Sequence, residues 1–133
     1  MTPFSGGDIP RLRRSFIVRQ QSNVAMASAK FAYIWQYFVE DSHRDEFLEA
    51  YGPNGNWVQL FSKDPSYVET RLLHDADDDG RYVTIDYWVS RNARDSFREK
   101  YSREFSTLDD KCEQLTTKEE FLGDFVLVDD SAA

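Results

Sequence analysis

Cysteine is almost absent from this sequence, since Cys112 is the only one in 133 residues. A single cysteine excludes an intrachain disulfide and a cysteine-rich zinc site, and it is typical of a reducing cytosol. The sequence also lacks an apolar run long enough to span a bilayer. These absences predict a cytoplasmic protein that has no membrane partner.

The motifs of several common enzyme chemistries are missing as well. The six glycines form neither a phosphate-binding loop nor a nucleophile elbow, and the two histidines, His43 and His74, belong to no metal-ligand cluster. The segment from Asp75 to Asp86 nearly matches a calcium-binding loop. Its twelfth residue is Asp instead of Glu, however, and its flanks have strand patterns, which favours a hairpin turn. The sequence therefore predicts no metal site.

Positive charge is scarce, and it is concentrated at the N-terminus. The formal net charge is −8, but residues 1–29 carry four arginines against one aspartate, which leaves the remainder at about −11. An acidic body repels phosphate backbones, so we expect no nucleic-acid partner. The basic segment has three interpretations: a targeting peptide, a disordered tail, or a stretch upstream of a translation start at Met26.

Two regions at the start of the body have clear periodicities. Residues 30–39 are rich in aromatic and β-favouring residues without a breaker, which predicts a buried strand. Ser42 and Asp45 resemble a capping box that opens a short helix ending at Gly52. Asn56 is the predicted N-cap of a second short helix that ends near Pro65.

The second half of the body is predicted to hold three strands and one long helix. Residues 67–74 and 82–89 have strand patterns, and Asp79-Gly80 between them is a hairpin-turn signal. Apolar residues from Phe97 to Leu115 recur at spacings of three and four, which predicts one helix over about 91–115. Residues 121–128 form the last predicted strand.

The predicted elements follow a βαββαβ order with one extra helical segment in the first crossover. This order is typical of a ferredoxin-like α+β fold. We divide the chain into a basic N-terminal extension over 1–29, predicted to be disordered, one α+β domain over 30–128, and a polar tail over 129–133.

Three segments of the sequence resemble the antibiotic biosynthesis monooxygenase-like family of dimeric α+β barrel proteins. They are FAYIWQYFV, HRDEFLEAYGPNGNWVQLFSKDPSYVETRLLHD and GRYVTIDYWVSRNARDSF. The resemblance spans about residues 30–128. It implies a ferredoxin-like βαββαβ sandwich that forms a dimeric α/β barrel.

The strand patterns agree independently with a homodimer. Helices of this fold cover one face of the sheet, yet neither face of the predicted strand 82–89 is fully polar, and the first strand is apolar on both sides. A second copy that closes back to back on the uncovered face would bury this apolar surface. We therefore expect the chain to pair with itself.

The resemblance also implies an aromatic pocket. Trp88 occupies a position similar to that of a pocket tryptophan in haem-degrading relatives. Those relatives also use an asparagine on the first strand and a histidine on the later helix, whereas residues 30–39 contain no Asn and residues 91–117 contain no His. We therefore expect no haem and no other cofactor.

Relatives that oxidise aromatic polyketides need only a base, hydrogen-bond donors and a dry pocket. We predict His74 and Asp86 as catalytic residues. The predicted substrate-binding residues are Trp88, Trp35, Trp57, Tyr33, Gln36 and Arg71. Alternation along the strands does not reveal which of these share a face of the sheet.

Three hypotheses about function follow. The first is a cofactor-independent monooxygenase that acts on a small aromatic or apolar molecule. The second is a non-catalytic homodimer that binds a small ligand or a partner in the same pocket. The third is a structural protein whose aromatic residues only fill the core.

Overall fold

A computed structural model describes residues 26–128. Residues 1–25 of the N-terminal extension predicted over 1–29, and the tail over 129–133, lie outside the described residues. The described part contains four strands: β1 Phe31–Phe38, β2 Tyr67–His74, β3 Arg81–Trp88 and β4 Lys118–Val126. Its helices are α1 Arg44–Tyr51, α2 Asn56–Phe61, α3 Arg91–Lys100 and α4 Ser102–Cys112. Short 3₁₀ turns occupy Asp41–His43 and Glu113–Leu115.

The strands form one antiparallel sheet in the order β2-β3-β1-β4. This is the ferredoxin-like arrangement, so the predicted α+β fold class is confirmed. Strand β1 pairs with β3 and β4, and the β1–β3 register sets Tyr33 opposite Asp86 and Trp35 opposite Thr84. A bulge in β4 shifts its register between Ile34 and Trp35. Beside it Gly123 has φ 149, a conformation that glycine adopts without strain.

Burial alternates along β3, because successive side chains point to opposite faces of the sheet. The face packed under the helices is here called the inner face. It carries Tyr82, Thr84, Asp86 and Trp88, all of which are buried. The opposite face, here called the open face, carries the half-buried Val83, Ile85 and Tyr87.

The core is an aromatic layer between the inner face and the helices. Phe47 of α1 stacks on Tyr51 at 4.5 Å and contacts Tyr82 of β3 at 5.0 Å between ring centroids. Phe97 of α3 lies 5.1 Å from Trp88. Full burial of one such ring contributes about 1.5–3 kcal/mol to the stability of the fold. These contacts therefore hold the helices on the sheet.

The structure corrects two predicted helix starts. Helix α1 has His43 as its N-cap without a side-chain bond, and a 3₁₀ turn occupies the predicted Ser42 cap. Helix α2 has Gly55 as its N-cap, and Asn56 is its first residue. A side chain at Gly55 would meet the backbone carbonyls of Glu49 and Ala50, and this tight approach explains why glycine stands at that position.

The long predicted helix over 91–115 is two helices and a 3₁₀ turn. The break is at Tyr101, which has φ −109 and ψ 28, and hydrogen bonds from Tyr101 N–H to Phe97 and from Phe105 N–H to Tyr101 continue across it. The apolar stripe therefore keeps its helical spacing through the break. Strand β4 begins at Lys118, earlier than predicted, because its polar start pairs with Phe38 at the end of β1.

Strands β2 and β3 are joined by the predicted hairpin. Asp78 accepts a hydrogen bond from Arg81 N–H across Asp79-Gly80. Among the described residues only Gly123 has a positive φ, so the turn is not of the mirror-image type that Asp-Gly usually adopts. In residues 26–128 no helix combines the length and apolar character needed to cross a bilayer.

Candidate active site

A cavity of about 310 Å³ lies between the inner face of the sheet and helices α2 and α4. Its size is at the lower end of the range of small-molecule sites. The walls are mainly aromatic rings, contributed by Tyr33, Trp35, Tyr37, Tyr51, Trp57, Phe61 and Phe105. Such walls suit a flat organic ligand.

The aromatic walls follow from strand and helix periodicity. Tyr33 and Trp35 are two residues apart on β1 and therefore share the inner face. Trp57 and Phe61 are four apart on α2, and both point toward the sheet. Phe105 of α4 meets Trp57 edge to face at 4.9 Å, and the two rings form part of the cavity wall on the helical side.

Asp86 brings a carboxyl group into this aromatic setting. It is 5% exposed and lies between Tyr33 on β1 and Thr70 on β2. The Thr70 hydroxyl donates to Asp86 Oδ1 at 2.5 Å, and Tyr67 in turn donates to Thr70 at 2.7 Å. This chain of hydroxyls orients the carboxyl and satisfies one of its oxygens.

Burial raises the pKa of Asp86 to about 7, because removal from water disfavours the charged form. The Thr70 hydrogen bond and the charges of Arg98 and Arg94 act in the opposite direction, but they are smaller. A carboxyl with such a pKa accepts and releases a proton readily at neutral pH. This is the property that general acid–base chemistry requires.

Tyr33 and Arg98 lie beside Asp86. Burial, followed by the charge of Asp86, raises the pKa of Tyr33, while Arg98 and Arg94 lower it by a smaller amount. Tyr33 is therefore a protonated hydrogen-bond donor at neutral pH. The Arg98 guanidinium lies over the rings of Tyr33 and Phe105, each at 5.3 Å.

The other end of the cavity is acidic. Glu119 of β4 lies opposite Tyr37 in the sheet, and Asp109 of α4 lines the cavity with it. Partial burial and the charges of Asp109 and Glu113 raise the pKa of Glu119. One end of the cavity therefore carries an arginine, and the other carries two carboxyl groups.

Four of the eight predicted site residues line this cavity. They are Asp86, Tyr33, Trp35 and Trp57. The structure brings them together because the first three face inward from paired strands and the fourth faces them from α2. The remaining four lie elsewhere.

Trp88 lies on the inner face but is sealed in the core. It is 0% exposed and contacts Phe61, Tyr67 and Phe97 at 5.6, 5.4 and 5.1 Å. These rings separate it from the cavity. Trp88 therefore does not line this cavity.

Gln36 and Arg71 lie on the open face, because their positions in β1 and β2 have the opposite parity to Trp35 and Thr70. Gln36 bonds Glu120 and accepts from Arg81, and Arg71 donates to Glu69 at 2.6 Å. Neither side chain reaches the cavity.

His74 is at the exposed end of β2. Its ring stacks on Tyr82 at 4.3 Å, and Nε2 lies 2.8 Å from the Asp79 carbonyl oxygen. Tyr82 and α1 separate it from the cavity. The two residues predicted as catalytic, His74 and Asp86, are therefore not brought together.

Sequence reasoning missed four polar contributions to the site. Arg98, Thr70, Thr84 and Glu119 line the cavity but were not predicted. Thr70 and Thr84 share strand parity with Asp86, so a known register would have identified them. Arg98 directly follows the buried Phe97, and no pattern in the sequence separates it from the other arginines of α3.

The aspartate-rich turn holds its own backbone. Asp75 accepts hydrogen bonds from the N–H groups of Asp77 and Asp78, and Asp79 pairs with Arg44 at 2.7 Å. Over residues 26–128, no group of three or more His, Cys, Asp or Glu side chains is arranged to hold a metal ion.

Comparison with solved structures shows the same fold in several proteins. SnoaB, a cofactor-independent oxygenase from Streptomyces nogalater, matches in a single-substitution variant with TM-score 0.62 and 20% identity over 76% of this chain and 95% of its own. A protein from Deinococcus radiodurans, provisionally classed as an antibiotic biosynthesis monooxygenase, matches with TM-score 0.61 and 9% identity over 74% and 93%. A dimeric ferredoxin-like protein from an uncultured marine organism matches with TM-score 0.57 and 15% identity over 77% and 90%.

These likenesses establish the fold that the sequence resemblance implied. No family model matches the chain, and no curated protein matches it in sequence.

Proposed function

We propose that the protein is a homodimeric, cofactor-independent oxygenase that acts on a small aromatic molecule. The observation that carries this proposal is Asp86, a buried carboxyl with a pKa near 7 in a cavity walled by aromatic rings. A hydrophobic cavity without a base would support binding alone. The base supplies what is needed to activate an electron-rich substrate.

The first step is removal of a proton from the substrate. Asp86 takes it from an acidic C–H or O–H group, while the ring system lies between Trp35 and Trp57. The resulting anion is delocalised over the aromatic system, and the Tyr33 hydroxyl and Arg98 guanidinium stabilise its charge. Exclusion of water by the ring walls strengthens these interactions.

The second step is the reaction of this anion with dioxygen. For a substrate with a CH₂ group between aromatic rings, the carbanion adds O₂ to form a C–O bond, and Asp86 returns its proton to give a hydroperoxide. Loss of the second C–H proton then breaks the O–O bond and releases water. The CH₂ group becomes C=O, so one oxygen atom enters the product and the other leaves in water.

The comparisons support the proposal in two respects. SnoaB is a cofactor-independent oxygenase with the same fold, and its match covers 95% of its own chain. The marine ferredoxin-like protein is dimeric, which supports pairing of this chain with a second copy. Half-buried apolar residues on that face, such as Ile85 and Val83, are typical of a surface that a second copy covers.

Oxygen uptake tests the function. Chelator-treated protein is mixed with anthrones and hydroquinones in an oxygen electrode, and products are analysed for incorporation of ¹⁸O. We expect turnover by the wild type and a loss of about 10²–10⁴-fold in Asp86→Asn, since that is the range for removal of a general base. Asp77→Asn, the same change in the exposed turn, should retain full activity.

Two outcomes contradict the oxygenase proposal. One is equal oxygen uptake by wild type and Asp86→Asn. The other is saturable binding of these compounds, measured by the quenching of Trp35 and Trp57 fluorescence, without any oxygen uptake. The second result would favour the alternative of a non-catalytic homodimer that binds a small ligand.

A further inference from the structure

Arg98 has one hydrogen-bond donor that no other described residue uses. Its Nε is buried and has no acceptor among residues 26–128, whereas the rest of its guanidinium hydrogen-bonds the Tyr33 side chain, and its side chain lines the cavity. The guanidinium is fixed between the rings of Tyr33 and Phe105, at 5.3 Å from each. It is thus a positioned cation at the cavity wall that is not paired with a carboxylate.

The preceding turn of α3 shows what a satisfied arginine looks like in this fold. Arg94 donates to both oxygens of Asp124 at 3.0 and 3.1 Å and to Asp95 at 2.8 Å. Arg98 forms no such ion pair within the described part of the chain. A guanidinium recognises a carboxylate through paired, charge-assisted hydrogen bonds, which are stronger than bonds to a neutral oxygen.

The cavity is polar at both ends and apolar between them. Tyr33, beside Arg98, and Tyr37, opposite Glu119, are four residues apart on β1, which is about 13 Å at the rise of a strand. Trp35, Trp57 and Phe105 line the space between the ends. The carboxyl groups of Asp109 and Glu119 repel an anion from their end. Below the pKa of Asp86, about 7, the carboxyl beside Arg98 is uncharged, so an anionic group is directed to Arg98.

We propose that Arg98 binds the carboxylate of an elongated aromatic acid, and that the natural substrate belongs to this class. The inference deepens the proposed function, because it takes the cavity as the substrate site. In this arrangement the ring system lies along β1 against Trp35. The carboxylate at Arg98 fixes the orientation and places the ring edge near Asp86.

A matched pair of probes tests this assignment through binding alone. Anthracene-2-carboxylate and its neutral analogue anthracene-2-carboxamide are titrated by calorimetry at pH 6, where Asp86 is mostly protonated. We expect the carboxylate to bind the wild type about tenfold more tightly or better, in line with hydrogen bonds to a charged group. In Arg98→Gln the two affinities should become equal, and Arg98→Lys should restore part of the difference.

Arg103→Gln is the matched control, since it removes the same charge from an exposed position of α4 outside the cavity. It should keep the preference for the carboxylate. Equal affinities in the wild type, an unchanged ratio in Arg98→Gln, or no binding of either probe would each overturn the assignment. A carboxylate preference without oxygen uptake would refute the oxygenase and retain this inference. Oxygen uptake with equal use of neutral and acidic substrates would retain the oxygenase proposal and refute the assignment of Arg98 as a carboxylate site.

Discussion

Asp86 carries an ionisable carboxyl group into an interior that is otherwise aromatic. Its pKa is about 7 in the folded protein, compared with 3.8 when the group is exposed. Between these values the folded state keeps a proton that the unfolded state has released. The contribution of Asp86 to the free energy of unfolding therefore falls as pH rises from about 4 to about 7, by at most on the order of 4 kcal/mol. Above that pH the contribution remains low.

Asp86→Asn should separate this effect from the rest of the molecule. Asn keeps the shape and an oxygen that accepts from Thr70, but it has no charge to bury. We expect the variant to be more stable than wild type by about 1–3 kcal/mol at pH 8, and nearly equal to it at pH 5. Urea denaturation at the two pH values measures this.

The exposed Asp77→Asn variant should match wild type at both pH values. If Asp86→Asn is less stable than wild type at pH 8, the Asp86 charge is satisfied in the folded protein. If Asp86→Asn is more stable at pH 8, as we expect, the protein tolerates an unfavourable charge at the site where we propose chemistry.

At the residue scale, four of the predicted site residues line the cavity, although strand periodicity did not single them out. They are Tyr33, Trp35, Trp57 and Asp86. Alternation assigns residues to two sets, but only the register of β1 against β3 shows that the set with Asp86 faces the helices. Gln36 and Arg71 belong to the other set, and the sequence held no signal that distinguished the two.

At the scale of elements, the sheet has one covered face and one open face. The open face combines the half-buried Ile34, Ile85 and Tyr87 with the more exposed Leu73 and Phe125, which are 49% and 47% accessible. Charged side chains of both signs, including Arg71 and Glu69, border it. A second copy packed on this face would bury the apolar centre and leave the charges at its rim.

Ile85→Lys should separate the proposed dimer into monomers. Ile85 lies opposite Ile34 near the centre of the open face, where a lysine is hydrated in a monomer but buried in a dimer. Light scattering should give twice the 15.6 kDa chain mass for the wild type and the single chain mass for the variant. Ser96→Lys, on the exposed side of α3, adds the same charge and should remain dimeric. A monomeric wild type would contradict the pairing.

The elements themselves were largely predictable, but their ends were not. Periodicity predicted the strands and the helical region after Ser90, because apolar spacing persists through it. The break at Tyr101 has no proline or glycine to signal it, and the cap hydrogen bonds continue across it. The start of β4 is polar and was missed, because edge pairing with β1 replaces the usual apolar pattern.

At the scale of the whole molecule, the fold follows from element order, and the proposed function depends on one base within one cavity. The sequence indicated the βαββαβ order and the resemblance that agrees with it. It did not indicate how the cavity is built, since the walls come from all four strands and all four helices. The central claim is therefore that ionised Asp86 activates the substrate.

The pH dependence of kcat/KM for oxygen uptake tests this claim most directly. We measure it for wild type, Asp86→Asn and Asp77→Asn with two anthrones whose own pKa values differ. In wild type and Asp77→Asn we expect kcat/KM to rise with pH around a midpoint near 7, and we expect both substrates to give the same midpoint. In Asp86→Asn we expect no such rise. A midpoint that follows the pKa of the substrate, or that persists in Asp86→Asn, would contradict it.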